Sequence, residues 1–336
     1  MARFFRFLLG FILWSAALLA TVLVIATATV TLRENMRPQD AAPKTGHFVT
    51  AADAQIFVQE QGPENGPAVI LIHGTGAWGA LWQETMQPLA DAGYRVIAVD
   101  LPPFGYSQKF IHAADYTSAR QAARLSALVA AMRLDKPTLV CHSVGCRSAV
   151  EALLDTPDIF GKAVLVDPAL GFADDKAHPH FGQPAPAAAL RFAVETPFLR
   201  EAILGIWGSS PYSIAPIFRG FVYDSAAVTD ARVTLLQRPL SVQGLTAAEG
   251  AWFENLTAAP ETGKVADYKQ YAHITMPLQI IWGREDNITP VWQAKALQML
   301  LPQPRLTVLE GAGHIPYIET TATFNAALLG FLKGGE

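Results

Sequence analysis

Six short apolar runs constrain this chain more than any other feature. They are "PAVILIHG" (67–74), "YRVIAVDLPPFG" (94–105), "PTLVCHS" (137–143), "KAVLVDPAL" (162–170), "PLQIIWGRED" (277–286) and "RLTVLEGAG" (305–313). Each stops at a small, polar or turn-forming residue and reads as a strand, and the first two are apolar on both faces, the signature of a strand buried on both sides. Helical stretches separate them, among them "LWQETMQPLADAG", closed by Gly93 past the helix end, residues 118–132, "VGCRSAVEALLDTPD", "PVWQAKALQMLLP" and a last one from about Thr320 to Leu332. Ahead of them, "HFVTAADAQIFVQEQG" reads as a hairpin. Strands alternating with helices predict a mostly parallel sheet covered on both faces. Ligands bind such sheets beyond the carboxyl ends of the strands. That rule selects His73, Asp100, Ser143, Asp167, Asp286 and the loop holding His314.

One interval breaks the rhythm. Between Asp167 and Pro277 lies far more chain than an ordinary crossover needs. The spacing predicts a mostly helical cap inserted over 171–266, dividing a core of 47–170 and 267–336. Its aromatic residues, such as Phe192, Phe198, Trp207, Phe218, Phe221, Tyr223 and Trp252, are expected mostly to pack the cap itself, with some lining a pocket. His178 and His180 read as cap surface residues.

The N-terminus obeys another solvent. No charge occurs from Phe7 to Leu32. As a helix this stretch is roughly 39 Å long, enough to cross a hydrocarbon layer of ~30 Å. A buried core helix would not be apolar all round at the start of a chain. A cleaved signal peptide remains an alternative, with a small-x-small site at Ala26–Ala28, although its apolar region is usually shorter. The preferred reading is an uncleaved signal-anchor over 1–33 and a polar, proline-containing linker over 34–46. Arg3 and Arg6 precede the span, and Arg33 and Arg37 follow it with Glu34 and Asp40. The bias weakly favours the N-terminus inside and the catalytic domain on the non-cytoplasmic side.

With 51% apolar and 16% charged residues the chain is not disordered, and a net charge of −4 leaves no basic footprint for nucleic acid. Cys141 and Cys146 are its two cysteines. One ends a strand and the other begins a helix, so they are expected to point apart as buried free thiols; a pair this spaced without a third ligand is a poor metal site.

Ser143 stands where a buried strand turns at once into a helix. A sharp turn there exposes its Oγ, and the helix N-terminus brings backbone N–H groups to the place where an oxyanion forms. Such a turn needs small residues two before and two after, here Cys141 and Gly145. At this point the chain resembles the α/β-hydrolase superfamily over about residues 47–333. "CHSVG" stands for the family's G-x-S-x-G elbow with cysteine in place of the first glycine. "HGTGAWGALW" (73–82) resembles the oxyanion loop, and "DLPPFGYS" (100–107) the D-x-P-G-x-G-x-S loop, with Pro103 for a glycine. "WGREDNITP" (282–290) resembles the acid-bearing segment and "EGAGHIPYIE" (310–319) the histidine-bearing loop. The resemblance implies an α/β-hydrolase fold with a mostly parallel, eight-stranded-type sheet, helices on both faces and a helical cap.

It also implies roles. Ser143 is the nucleophile and His314 the base. Asp286 orients His314, with Glu285 and Asp167 as rivals. The backbone N–H groups of Thr75 and Val144 form the oxyanion hole. His142 adjoins Ser143, but neighbours on a tight turn point apart, and His73 reads as a structural hydrogen-bonder. Asp100 reads as a loop anchor. Serine rather than aspartate at the elbow argues for acyl transfer without metal or organic cofactor. Three functions follow: a membrane-anchored serine hydrolase for an ester-like, apolar or lipid-like acyl substrate; a carbon–carbon bond hydrolase of the ring-cleavage-product type, with Arg147, Arg191 or Arg219 facing a carboxylate; or a catalytically silent receptor or scaffold.

Overall fold

The computed structural model describes residues 2–173, 180–181, 188–258 and 261–334. A long helix α1 (Ala2–Arg33) and a single turn α2 (Pro38–Ala41) lead to the hairpin β1 (Gly46–Ala51) and β2 (Ala54–Gln61). Then follow β3 (Ala68–Ile72), α3 (Gln83–Asp91), β4 (Arg95–Val99), α4 (Ser118–Ala131), β5 (Thr138–His142), α5 (Gly145–Asp155) and β6 (Lys162–Val166). A small ribbon pairs β7 (Phe172–Ala173) with β8 (His180–Phe181). Helices α6 (Ala188–Glu195), α7 (Pro197–Ile203), α8 (Ile214–Arg219), α9 (Asp230–Gln237) and α10 (Leu245–Thr257) come next, with a π-helical turn at Leu204–Gly208. The chain closes with β9 (Leu278–Gly283), α11 (Trp292–Leu300), β10 (Arg305–Leu309), α12 (Pro316–Glu319) and α13 (Thr321–Leu332).

The sheet has eight strands in the order β1-β2-β4-β3-β5-β6-β9-β10. It is antiparallel at β1–β2 and β2–β4 and parallel elsewhere. Every residue of β3, β5 and β9 is buried. Two layers require this: Leu125, Leu128, Ala149, Leu153 and Leu297 of α4, α5 and α11 cover one face, and Met86, Leu89, Phe324 and Leu328 of α3 and α13 cover the other. Each large aliphatic side chain withdrawn from water this way contributes ~1.5–3 kcal/mol.

Helices α6–α10 occupy the interval between β6 and β9. They are tied to the core by Trp78 Nε1–H donating to Leu235 O at 2.9 Å, by the Arg232–Glu84 ion pair at 2.7 Å, and by Trp252 against Phe104 at 4.9 Å. His178 lies outside the described residues, as does the His180 side chain.

Two expectations change here. Residues 34–46 read from the sequence as a linker, but their first part is hydrogen-bonded to the cap. Met36 N–H donates to Ser241 O and Gln243 N–H to Met36 O, and Glu34 Oε1 accepts from Thr246 N–H at 3.0 Å. Arg33 donates to Leu240 O, Ser209 Oγ and Thr246 Oγ1. The sequence points to free thiols, yet Cys141 and Cys146 form a disulfide with Cα atoms 5.0 Å apart. Cys141 faces the side of the sheet on which α5 packs, and both residues belong to the same apolar layer. The turn at Ser143 folds the first turn of α5 back over that face, so the two side chains meet.

Candidate active site

At the carboxyl end of β5, Ser143 has φ +53°, a left-handed conformation that L-residues other than asparagine and aspartate seldom adopt. The strain is held by close packing. A Cβ on Gly145 would come within 2.3 Å of His73 O, and one on Gly74 within 2.8 Å of Ser143 Cβ. Only glycine allows α5 and the loop after β3 to approach the serine this closely.

Hydrogen bonds determine the histidine tautomers. His314 Nδ1 lies 2.8 Å from Asp286 Oδ2, a carboxylate that can only accept, so Nδ1 carries the proton. His314 Nε2 is therefore free to accept, and Ser143 Oγ lies 2.8 Å from it. Asp286 also accepts from the N–H groups of Ile288 and Thr289 on Oδ1 and from Thr289 Oγ1 on Oδ2. Burial works against its ionisation, but the bonds to His314 and Thr289 outweigh burial and hold the carboxyl below its ordinary range. All three side chains are buried.

The rivals are engaged elsewhere. Asp167, with φ +41°, accepts from Gly283 N–H, and burial first and the Asp286 charge second push its carboxyl well above the ordinary value. Glu285 accepts from Ala312 N–H. His142 Nε2 donates to His314 O at 2.7 Å, and its Nδ1 faces the Tyr317 hydroxyl. Burial and the neighbouring His314 push His142 down to about 3, so it stays neutral near pH 7 and braces the loop. His73 donates from Nδ1 to Gly74 O and accepts on Nε2 from Leu101 N–H; burial pushes it down to about 4. Asp100 accepts from Gly79 and Tyr106 N–H and anchors its loop, with burial raising it to about 7.

Several residues that sequence reasoning did not single out build the site. Glu319 accepts from Gly313, Ile315 and Tyr223 N–H, joining the histidine loop to the cap. His314 N–H itself donates to Phe221 O of the cap. Tyr317 stacks on Trp82 at 3.8 Å. The one signal available in the sequence was the acid of "HIPYIE", five residues beyond the histidine.

A cavity of about 280 Å³ opens over Ser143 and His314, lined also by Thr75, Val144, Arg147 and Phe221. The Thr75 and Val144 N–H groups have no protein acceptor among the described residues. A second cavity of about 190 Å³, walled by Leu204, Ile214, Leu240, Trp252 and Glu249, shares Thr75, Ala77, Phe218 and Phe221 with the first. The arrangement can activate a hydroxyl and receive an oxyanion beside an apolar chamber.

Comparison with known proteins fits this geometry. A 2-hydroxy-6-oxononadienedioate/2-hydroxy-6-oxononatrienedioate hydrolase of Cupriavidus pinatubonensis is 26% identical over 297 residues, which are 86% of this chain and 95% of that protein. A membrane phospholipase A described as a bacterial virulence factor superposes with a TM-score of 0.66 at 25% identity, covering 99% of both chains. An esterase from Exiguobacterium antarcticum shares the fold, with a TM-score of 0.67 at 21% identity over 86% of this chain and 99% of the esterase. The model of the alpha/beta hydrolase family matches residues 69–327, and with its sheet, elbow and strand-end site the chain belongs to that family.

Proposed function

We propose that the protein is a membrane-anchored serine hydrolase that cleaves an ester with an apolar, lipid-like acyl group. The observation that carries this reading is the unbroken relay from Asp286 through His314 to Ser143, two contacts of 2.8 Å beneath an open cavity. Ser143 Oγ attacks the ester carbonyl carbon as His314 Nε2 takes its proton. The N–H groups of Thr75 and Val144 donate to the oxyanion of the tetrahedral intermediate. His314 then protonates the leaving alkoxide, and an acyl-Ser143 remains. A water gives its proton to His314 and attacks the acyl carbon, and the collapse returns the proton to Ser143.

The apolar second cavity supports an aliphatic acyl group. The span α1 supports membrane attachment, and the likeness to a membrane phospholipase A extends over nearly the whole chain, α1 included. The Cys141–Cys146 disulfide favours a domain outside the reducing cytoplasm. A second reading, hydrolysis of a carbon–carbon bond beside a ketone, is favoured by Arg147 on the wall of the Ser143 cavity, where a substrate carboxylate would reach it, and by the dienedioate hydrolase relative.

The test is a fluorophosphonate probe on the detergent-solubilised full chain, mapped by mass spectrometry, with esters and a dienedioate-type ketone assayed alongside. We expect an adduct on Ser143, ester turnover, and loss of both in Ser143→Ala. Turnover of the ketone without esters would establish the second reading. A folded chain that neither labels nor turns over any substrate would support a silent scaffold and overturn the proposal.

A further inference from the structure

The end of α1 is locked to the cap. In its second half, the residues withdrawn from solvent are Leu23, Ala26, Val30 and Arg33, spaced three, four and three apart on one face. That face meets α7 and the π-helical turn. A Cβ on Gly205 would come within 2.4 Å of Val30 Cγ2, so glycine is what allows the approach. Arg33 and Glu34 then fasten the joint to Ser209 and Thr246. Beyond Arg6 the other large apolar side chains described in α1, such as Phe7, Phe11, Trp14, Leu18 and Ile25, are exposed, and the hydroxyls of Thr21, Thr27, Thr29 and Thr31 donate back to carbonyls four residues earlier, as a lipid-facing helix requires.

This joint sets the depth of the cap. A span needs about 20 residues, or ~30 Å of helix. Counted from Phe7, just inside Arg6, that length ends near Ala26. The face withdrawn from solvent begins at Leu23 and Gly205 meets Ala26 and Val30, so the elements that hold α1 lie at the far membrane boundary. Those elements expose apolar side chains, Phe198 and Ile203 of α7 and Ile206 and Trp207 of the π-helical turn, and beside them Phe192 of α6 and Tyr212 are bare as well, from 47% to 92% exposed. Tryptophan and tyrosine are the residues favoured at that depth. In the same turn, Leu204 and Gly208 line the second cavity, which reaches Thr75 of the loop after β3.

We propose that the face built by α6, α7 and the π-helical turn is a membrane-docking surface, seated in the headgroup–acyl boundary, through which an ester acyl chain passes from the bilayer into the second cavity and on to Ser143. The proposal rests on the reading of α1 as a membrane span and of Ser143 as the nucleophile. A water-facing cap would leave these aromatic and aliphatic side chains uncovered beside an apolar helix. Entry past Leu204 keeps the acyl chain in apolar surroundings throughout.

The experiment uses the full chain reconstituted in phosphatidylcholine vesicles. Vesicles brominated near the acyl carbonyl quench indole fluorescence at that depth. Wild type and Trp207→Phe are compared, so that the difference isolates Trp207 from Trp14 of the span. We expect the Trp207 contribution to be quenched several-fold. In parallel, Phe198→Asp and Ile206→Asp are assayed on a long-chain ester in the vesicle and on a short soluble ester. Turnover of the vesicle ester should fall at least tenfold while that of the soluble ester is unchanged, which also reports a folded site. An unquenched Trp207 would overturn the proposal. If the Asp variants then changed the dimer content instead, the face would belong to a second copy of the chain. Equal loss on both esters would overturn the entry route. Quenching with no ester turnover in the wild type would keep the docking surface and refute the hydrolase reading, so the two failures are distinguishable.

Discussion

In the proposed mechanism Ser143 is made a nucleophile by its neighbours. Its hydroxyl needs an acceptor, the acceptor needs its other nitrogen protonated, and Asp286 enforces that tautomer. An amide in place of the carboxylate could donate to Nδ1, leaving the proton on Nε2. We expect Asp286→Asn to lower ester kcat by about 10⁴-fold with little change in KM. Thr289 acts one step further out. Its hydroxyl donates to the same oxygen that His314 uses, at 2.6 Å, and its N–H supports the other oxygen. Thr289→Val removes the hydroxyl and keeps the shape and the N–H. Kinetics should show roughly a tenfold loss in kcat, in line with the removal of a supporting hydrogen bond of ~1–1.5 kcal/mol. An unchanged kcat would show that the two backbone donors suffice.

The strand-turn-helix at the end of β5 works as one unit. Gly145 opens α5 against the backbone of His73, where a single methyl would meet a carbonyl oxygen at 2.3 Å. Backbone cannot swing aside as a flexible side chain does. Gly145→Ala must therefore part α5 from the loop after β3, and Thr75 moves away from Val144 with it. Overpacking of this kind costs ~1–3 kcal/mol. Calorimetry should register a melting temperature several degrees lower, and ester kcat should fall ~10²-fold, as when an oxyanion donor is displaced. A variant that melts lower with unchanged kcat would place the oxyanion donors elsewhere.

Across the whole molecule, buried charge at the joint of cap, core and α1 links stability to pH. Glu249 lines the second cavity, half-buried, and the charges of Lys109, Glu34 and Arg33 act on it. Burial raises its carboxyl from 4.5 to about 7, with Lys109 opposing and Glu34 adding to the rise. The folded chain thus holds a proton that the unfolded chain releases, and stability falls as pH climbs from about 4.5 to about 7. Glu249→Gln removes that slope. Its melting temperature should exceed that of wild type by an amount that grows from pH 5 to pH 8. Asp100 and Asp167 contribute in the same direction to both proteins, and comparing the two cancels them. Lys109 loses a favourable partner in the variant, which limits the gain. A difference independent of pH would show that Glu249 ionises normally.

The sequence by itself determined the mostly parallel sheet, because strands alternate with helices along the chain and the central strands, buried on both faces, must be apolar throughout. It also determined which residues stand at those ends, Ser143, Asp286 and His314 among them, since motif spacing along one chain is enough to mark a strand end. What the spacing could not carry is which side chains meet across elements. The Cys141–Cys146 bond depends on the turn at Ser143 folding α5 back over the sheet, which no pairwise separation reveals. Glu319 matters because three N–H groups from two distant segments converge on it. Glu34 reads as linker because it is charged, yet a polar group is also what a partly buried joint uses when a partner stands ready, as Thr246 does here. Periodicity and motif spacing are local properties of the chain. Convergence is a property of three dimensions, and only the tertiary structure decided it.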